Sequence, residues 1–156
     1  MTGSESDASA PDSWRGPLYL DASALAKLYL PEEGSDELDS RLAGRRDLLV
    51  SELAVTEIAS AFARRRREGE VSEDAARALR NAILTDLDAE QFLRVELSSA
   101  AHREAERLLL SASVALRAAD SLHLSLALLA GAAGVVTFDR VMIAAASPLG
   151  LTTLPA

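Results

Sequence analysis

Leu18-Tyr19-Leu20-Asp21-Ala22-Ser23-Ala24-Leu25-Ala26-Lys27-Leu28-Tyr29 is the stretch that decides the fold. It opens with a three-residue apolar run, too short for a helix and apolar enough for a buried strand. Asp21 stands where that strand should end. Behind it Ala24, Leu25, Leu28 and Tyr29 recur at helical spacing, so a helix follows almost at once. A carboxylate at the carboxyl end of a strand, beside a helix start, sits where open α/β sheets place their ligand chemistry.

The rest of the chain repeats that grammar. Leu48-Leu49-Val50 predicts a second strand, with Ser51 capping a long helix whose buried stripe is Val55, Ile58, Ala59 and Phe62. That helix runs into Arg64-Arg65-Arg66-Arg67 and stops near Gly69. Between these two units Ser35 is expected to cap a short helix reaching Leu42. Ser72, followed by Glu73 and Asp74, starts another helix to about Ala89, its acids placed for the helix dipole. Phe92 to Leu97 alternates apolar and charged residues, the pattern of a strand with one solvated face. Ser98 opens a helix with Ala101, Ala105, Leu108 and Leu109 inward. The helix from Ala119 to Ala130 is apolar nearly all round and therefore central. Val135-Val136-Thr137-Phe138 is a β-branched strand of the buried parallel kind, expected to end at Asp139. A short helix and a last strand near Leu151 to Leu154 finish the chain. Strands alternating with helices predict an α/β fold, a mostly parallel central sheet with helices on both faces in three layers.

Composition bounds the possibilities. With 156 residues the chain has room for one domain and a core that needs no staples. There is no Cys, which removes disulfides and Cys-ligated zinc and is compatible with a reducing, cytoplasmic setting. The longest apolar run, around Leu122 to Ala133, is interrupted by His123 and Ser125 and is too short to span a bilayer. Residues 1–16 are polar, lack an apolar period and are expected to form a disordered N-terminal tail, Trp14 included; residues 17–156 form the domain. The net charge of −8 argues against a protein that coats nucleic acid through bulk positive charge, so any such contact must be local.

Four acids stand apart from the solvated charges. Asp21 and Asp139 are expected at the carboxyl ends of two buried parallel strands, on one rim of the sheet. Asp120 lies in the first turn of the central helix, on the face that continues to Leu124 and Ala127. Glu57 borders the stripe of Val55, Ile58 and Phe62 near the start of its helix. Each has a plainer reading: strand-end cap for Asp21 and Asp139, N-terminal cap for Asp120, an edge carboxylate paired with an Arg one turn away for Glu57. Gathered together, carboxylates about 4 Å apart repel by about 4 kcal/mol per pair at an effective dielectric near 20. Either some are protonated or a cation joins them. Oxygen-only donors without Cys select a hard ion, Mg²⁺ or Mn²⁺. One or two such ions can ionise a water and stabilise an in-line displacement at phosphorus, which is phosphodiester hydrolysis.

Leu20-Asp21-Ala22-Ser23-Ala24, Glu57 within Ser51-Glu52-Leu53-Ala54-Val55-Thr56-Glu57, Arg117-x-x-Asp120-x-Leu122-His123 and Thr137-Phe138-Asp139 together resemble the PIN-domain ribonucleases, above all the VapC-type toxins of type II toxin–antitoxin pairs. The likeness runs in order over residues 18–154. It implies a PIN-like nuclease domain over 17–156 and a Mg²⁺- or Mn²⁺-dependent endoribonuclease cutting RNA. It further implies a homodimer, silenced by a cognate antitoxin. Carried onto this chain, Asp21 and Asp120 are the main metal ligands. Glu57 and Asp139 complete the acidic pocket directly or through water, and Ser23 and Thr137 occupy supporting hydroxyl positions. The leader ahead of the first strand is longer than the resemblance implies.

Other residues carry weaker signals. Arg64, Arg65, Arg66 and Arg67 read as a solvated helix end or as phosphate-steering groups for RNA, with Arg45 and Arg46 as further candidates. His123, one turn after Asp120, is a candidate base, set against the plainer role of a satisfied core histidine. Two rival functions remain at this level. One is a phosphatase of the haloacid-dehalogenase type with Asp21 as nucleophile, which expects a second Asp where Ser23 stands. The other is a PIN-type binding module without catalysis.

Overall fold

The structure, a computed structural model, describes residues 14–155; the expectation of a disordered tail over residues 1–13 lies outside the described residues. The elements in order are β1 (Leu18–Leu20), α1 (Ala22–Lys27), α2 (Ser35–Leu42), β2 (Leu48–Ser51), α3 (Glu52–Arg67), α4 (Glu73–Asp88), β3 (Leu93–Val95), α5 (Ser99–Ser111), α6 (Ala118–Leu129), β4 (Gly134–Val136), α7 (Arg140–Ala146) and β5 (Thr152–Leu154). A 3₁₀ turn over Ser147–Leu149 follows α7. The strands form one sheet in the order β3-β2-β1-β4-β5, and all four pairings are parallel.

Strand alternation sorts the core into two layers. Leu18, Leu20, Leu48, Val50 and Val136 face one side, where they meet Leu25, Leu38, Ile58, Phe62 and Ile83 from α1 to α4. Tyr19, Leu49 and Val135 face the other, against Ala101 and Leu108 of α5, Leu124 and Ala127 of α6, and Met142 of α7. The architecture is thus the three-layer α/β/α arrangement expected. From β1 the chain winds outward through β2 to β3, then crosses back to place β4 on the opposite flank of β1. The switch point lies between β1 and β4, and in doubly wound sheets the crevice at the carboxyl ends there receives the ligand.

Local chemistry accounts for the helix starts. Ser51, Ser72 and Ser98 accept from Leu53, Ala75 and Ala101 N–H groups and cap α3, α4 and α5. At α2 the expectation needs correction. Gly34, at φ +83°, is the N-cap, and Ser35 is the first helical residue. The Ser35 hydroxyl instead donates to Leu30 O and accepts from Glu32 N, closing the turn after α1. A glycine suits that cap because its φ lies in the left-handed region.

Trp14 does not behave as tail. It is 5% exposed and packs into the core layer of α1 to α4, with the Arg41 guanidinium 5.2 Å from its ring centroid. Arg45 fixes this segment: it pairs with Asp47 at 2.9 Å and donates to the carbonyls of Trp14 and Gly16. Arg45 therefore clamps the chain ahead of β1, at the end of the sheet opposite the acids, which corrects its assignment as a phosphate-steering group.

Candidate functional site

Asp21 is the most constrained of the four acids. It follows β1 directly, is 4% exposed and caps α1 by accepting from Ala24 N at 2.9 Å. The Ser23 hydroxyl donates to the same oxygen, Oδ1, at 2.7 Å. Thr137 Oγ1 donates to Oδ2 at 2.6 Å. The two hydroxyls are themselves anchored, Ser23 by Phe138 N at 3.0 Å and Thr137 by Asp139 N at 3.0 Å. A carboxylate held by three donors, two of them short, is fixed in orientation as an acceptor. It is poorly disposed to act as a free nucleophile, which counts against the phosphatase reading.

Asp139 departs from the expected symmetry. Strand β4 ends at Val136, which pairs with Leu20, so the residue level with Asp21 is Thr137 and not Asp139. Asp139 lies two residues further on. It caps α7, its Oδ1 accepting from Val141 N at 2.7 Å and Met142 N at 3.1 Å. The strand ends early because Phe138 N bonds to Ser23 rather than to a neighbouring strand, so the chain has already turned toward α7.

Asp120 is the third residue of α6, and its Oδ2 accepts from Arg117 N at 3.2 Å, a link back to the N-cap. Burial pushes its pKa up, and the nearby charges of Asp139 and Glu57 push it further; the Arg117 N–H and His123 act in the opposite sense. Asp139 and Glu57 are thus near enough to Asp120 for their charges to act on it. Glu57 has no Arg partner among the described residues. Its Oε1 meets His123 Nε2 at 3.1 Å, and His123 Nδ1 meets the Tyr19 hydroxyl at 2.7 Å. His123 is 2% exposed, so it is a satisfied core histidine that also touches the site. Tyr19 gave no functional signal in the sequence, beyond its alternation on β1 toward the layer that holds α6.

The donor set fits a hard divalent cation. It consists of carboxylate and hydroxyl oxygens without thiols. Three of the four acids keep one oxygen tied to the scaffold and one without a protein hydrogen bond among the described residues: Glu57 Oε2, Asp120 Oδ1 and Asp139 Oδ2. Among the described residues no three His, Asp or Glu side chains stand together as a group that could hold a metal ion by themselves. An open rim of this kind suits Mg²⁺ or Mn²⁺, which bind through one or two carboxylates and keep several waters, better than a dedicated all-protein cage.

The arginine run is split. Arg65 and Arg66 pair with Glu70 at 3.7 Å and Glu73 at 3.3 Å. Arg64 and Arg67 have no ion pair among the described residues. Arg64 lies two turns after Glu57 on the same face of α3, about 10 Å along the helix axis. Beside the run, α3 and α4 enclose a groove of about 260 Å³, floored by Ile58, Phe62 and Ile83 and edged by Arg66, Arg77 and Arg80.

Residues 18–147 match the PIN domain family. Ribonuclease VapC45 of Mycobacterium tuberculosis is 34% identical over 145 residues, covering 89% of this chain and 95% of that protein. Ribonuclease VapC3 of Pyrobaculum aerophilum is 37% identical over 59 residues, which are 38% of this chain and 45% of that protein. Among solved structures, Mycobacterium tuberculosis VapC20, described as a sarcin–ricin-loop-cleaving toxin, superposes with a TM-score of 0.62 at 18% identity, over 82% of this chain and 94% of that one. That last likeness is one of fold.

Proposed function

The chain belongs to the PIN-domain family, and on that premise we propose that it is a metal-dependent endoribonuclease serving as the toxin of a toxin–antitoxin pair. One observation carries the proposal. Four acids stand on the switch-point rim, three of them with an oxygen that has no protein partner among the described residues, and burial, reinforced by the charges of Asp139 and Glu57, raises the pKa of Asp120.

Asp21 and Asp120 would hold the ion, with Glu57 and Asp139 joining directly or through water. A bound Mg²⁺ or Mn²⁺ would supply water activation and charge neutralisation at phosphorus. The protein's own contribution is positional. Ser23 and Thr137 fix the Asp21 carboxylate, the α6 backbone fixes Asp120, and α7 fixes Asp139. Glu57 and Asp139 then orient the attacking water opposite the leaving oxygen, in line with the phosphodiester. Arg64 and Arg67, free of acidic partners among the described residues, would draw RNA phosphates toward the rim despite the acidic net charge.

The partner assignments rest on surface chemistry. The apolar groove between α3 and α4, with its arginine edge, supports docking of a cognate antitoxin. Exposed Leu109, Leu110, Val141 and Ile143 on α5 and α7 support a homodimer. Among the described residues no helix is long and apolar enough to cross a membrane. We assign the nuclease domain to residues 17–156, with Trp14 docked onto it, and place its work in the cytoplasm.

The test is cleavage of total cellular RNA with Mg²⁺ or Mn²⁺, followed by mapping of the new 5′ ends. Asp21→Asn should abolish cleavage, and excess EDTA should do the same for the unmodified chain. Equal cleavage by the variant, or full activity in EDTA, overturns the metal mechanism.

A further inference from the structure

His123 is buried and takes no direct part in the reaction proposed above, yet it joins the nuclease rim to the core. We infer that His123 is a positioning residue: locked by the Tyr19 hydroxyl as the Nε2–H tautomer, it grips Glu57 Oε1 and leaves Oε2 for the acidic rim. The inference rests on the assignment of Glu57 to the nuclease site.

The hydrogen-bond geometry favours one tautomer of the neutral imidazole. A carboxylate oxygen accepts, so Nε2–H is the donor across the 3.1 Å contact to Glu57. In a neutral imidazole Nδ1 is then an acceptor, and the Tyr19 hydroxyl donates to it across 2.7 Å. The opposite tautomer would set the bare Nε2 lone pair against a carboxylate.

Packing fixes the ring. Tyr19 is fully buried on β1, and its ring lies 5.7 Å from the imidazole, centroid to centroid, at 60°. His123 stands three residues after Asp120 on α6, so one rigid helix carries both. Asp120 is placed by the backbone of α6, and Glu57, from α3 on the other helix layer, is placed by the imidazole of α6. The α6 helix therefore both carries Asp120 and holds the Glu57 carboxylate that reaches it from α3. A glutamate without that anchor would sample several rotamers and lose its alignment with the rim.

The experiment has a structural and a functional arm. In the metal-free protein, long-range ¹H–¹⁵N spectra of the imidazole should show a protonated Nε2 and an unprotonated, hydrogen-bonded Nδ1. His123→Leu should weaken Mn²⁺ binding by calorimetry, and lower kcat for RNA cleavage, by ~10–100-fold with little change in KM, the range for losing a group that orients a metal ligand. His123→Gln, whose amide nitrogen reaches as far as Nε2, should restore most of both, and Tyr19→Phe should fall between. An Nδ1–H tautomer overturns the proposal. So does a folded His123→Leu variant with unaltered Mn²⁺ affinity and turnover, or a Gln variant no better than Leu. If the Leu variant does not fold, the Gln variant and the tautomer decide. Failure of the nuclease reading looks different: the unmodified chain then cuts no RNA, while the tautomer remains readable in the metal-free protein.

Discussion

Thr137→Val tests the joint that ties the two central strands to the acidic rim. Thr137 is 1% exposed, and its hydroxyl both donates to Asp21 Oδ2 at 2.6 Å and accepts from Asp139 N at 3.0 Å. Valine has nearly the same shape, so the substitution removes the hydroxyl with little change in packing. A hydrogen bond to a charged group contributes about 1.5–3 kcal/mol, and an amide left without a partner costs about 1–3 kcal/mol, the lower half applying where water has some access. The extra methyl returns about 0.8 kcal/mol of apolar burial. The net expectation is a loss of about 2–4 kcal/mol in the metal-free protein. For a chain of this size that is about 5–15 °C in Tm. Urea unfolding in EDTA measures it, with Thr137→Ser as the control: the hydroxyl stays, and only about 1 kcal/mol should be lost with the methyl. A Val variant within 0.5 kcal/mol of the parent would refute the claim that Thr137, rather than Asp139, stands level with Asp21 and holds it.

Three further outcomes follow from the same geometry. The raised pKa of Asp120 means that the folded chain binds its proton more readily than the unfolded chain does. Its stabilising effect is thus complete below the ordinary carboxylate range and lost as pH rises through the folded value. Asp120→Asn, which keeps an oxygen for Arg117 N, should be more stable than the parent near pH 7 in EDTA, with the gap closing toward pH 4 in denaturation curves; a gap independent of pH contradicts the assigned cause. Arg64→Gln and Arg67→Gln should each flatten the dependence of log K on log salt for RNA by about 0.7–0.9, whereas Arg65→Gln and Arg66→Gln, already paired, should do less; equal effects at all four positions would count against the split. Trp14→Ala should cost about 3–5 kcal/mol, as for other buried aromatics, and a surface-like change below 0.5 kcal/mol would return Trp14 to the tail.

Most of what the sequence determined is local. Periods of two and of about 3.6 marked strands and helices, and Ser51, Ser72 and Ser98 announced their helices because a cap acts over three residues. The order of these elements was enough to imply a parallel sheet between two helix layers, and the four acids stood out because each broke the polar pattern around it. The failures have the opposite character. The expectation that the fourth strand runs to Asp139 fails because a β-branched run does not declare where its ladder ends; Thr137 stands level with Asp21 and bonds to it across 116 positions. Glu57 meets His123 across 66 positions and His123 meets Tyr19 across 104, so no pattern along the chain pairs them. Trp14 and Arg45, 31 positions apart, find each other only once β1 and β2 are side by side. Side-chain identity and near-neighbour spacing determine which groups are available. Register and layer packing, which bring distant residues into contact, decide which of those groups become a site.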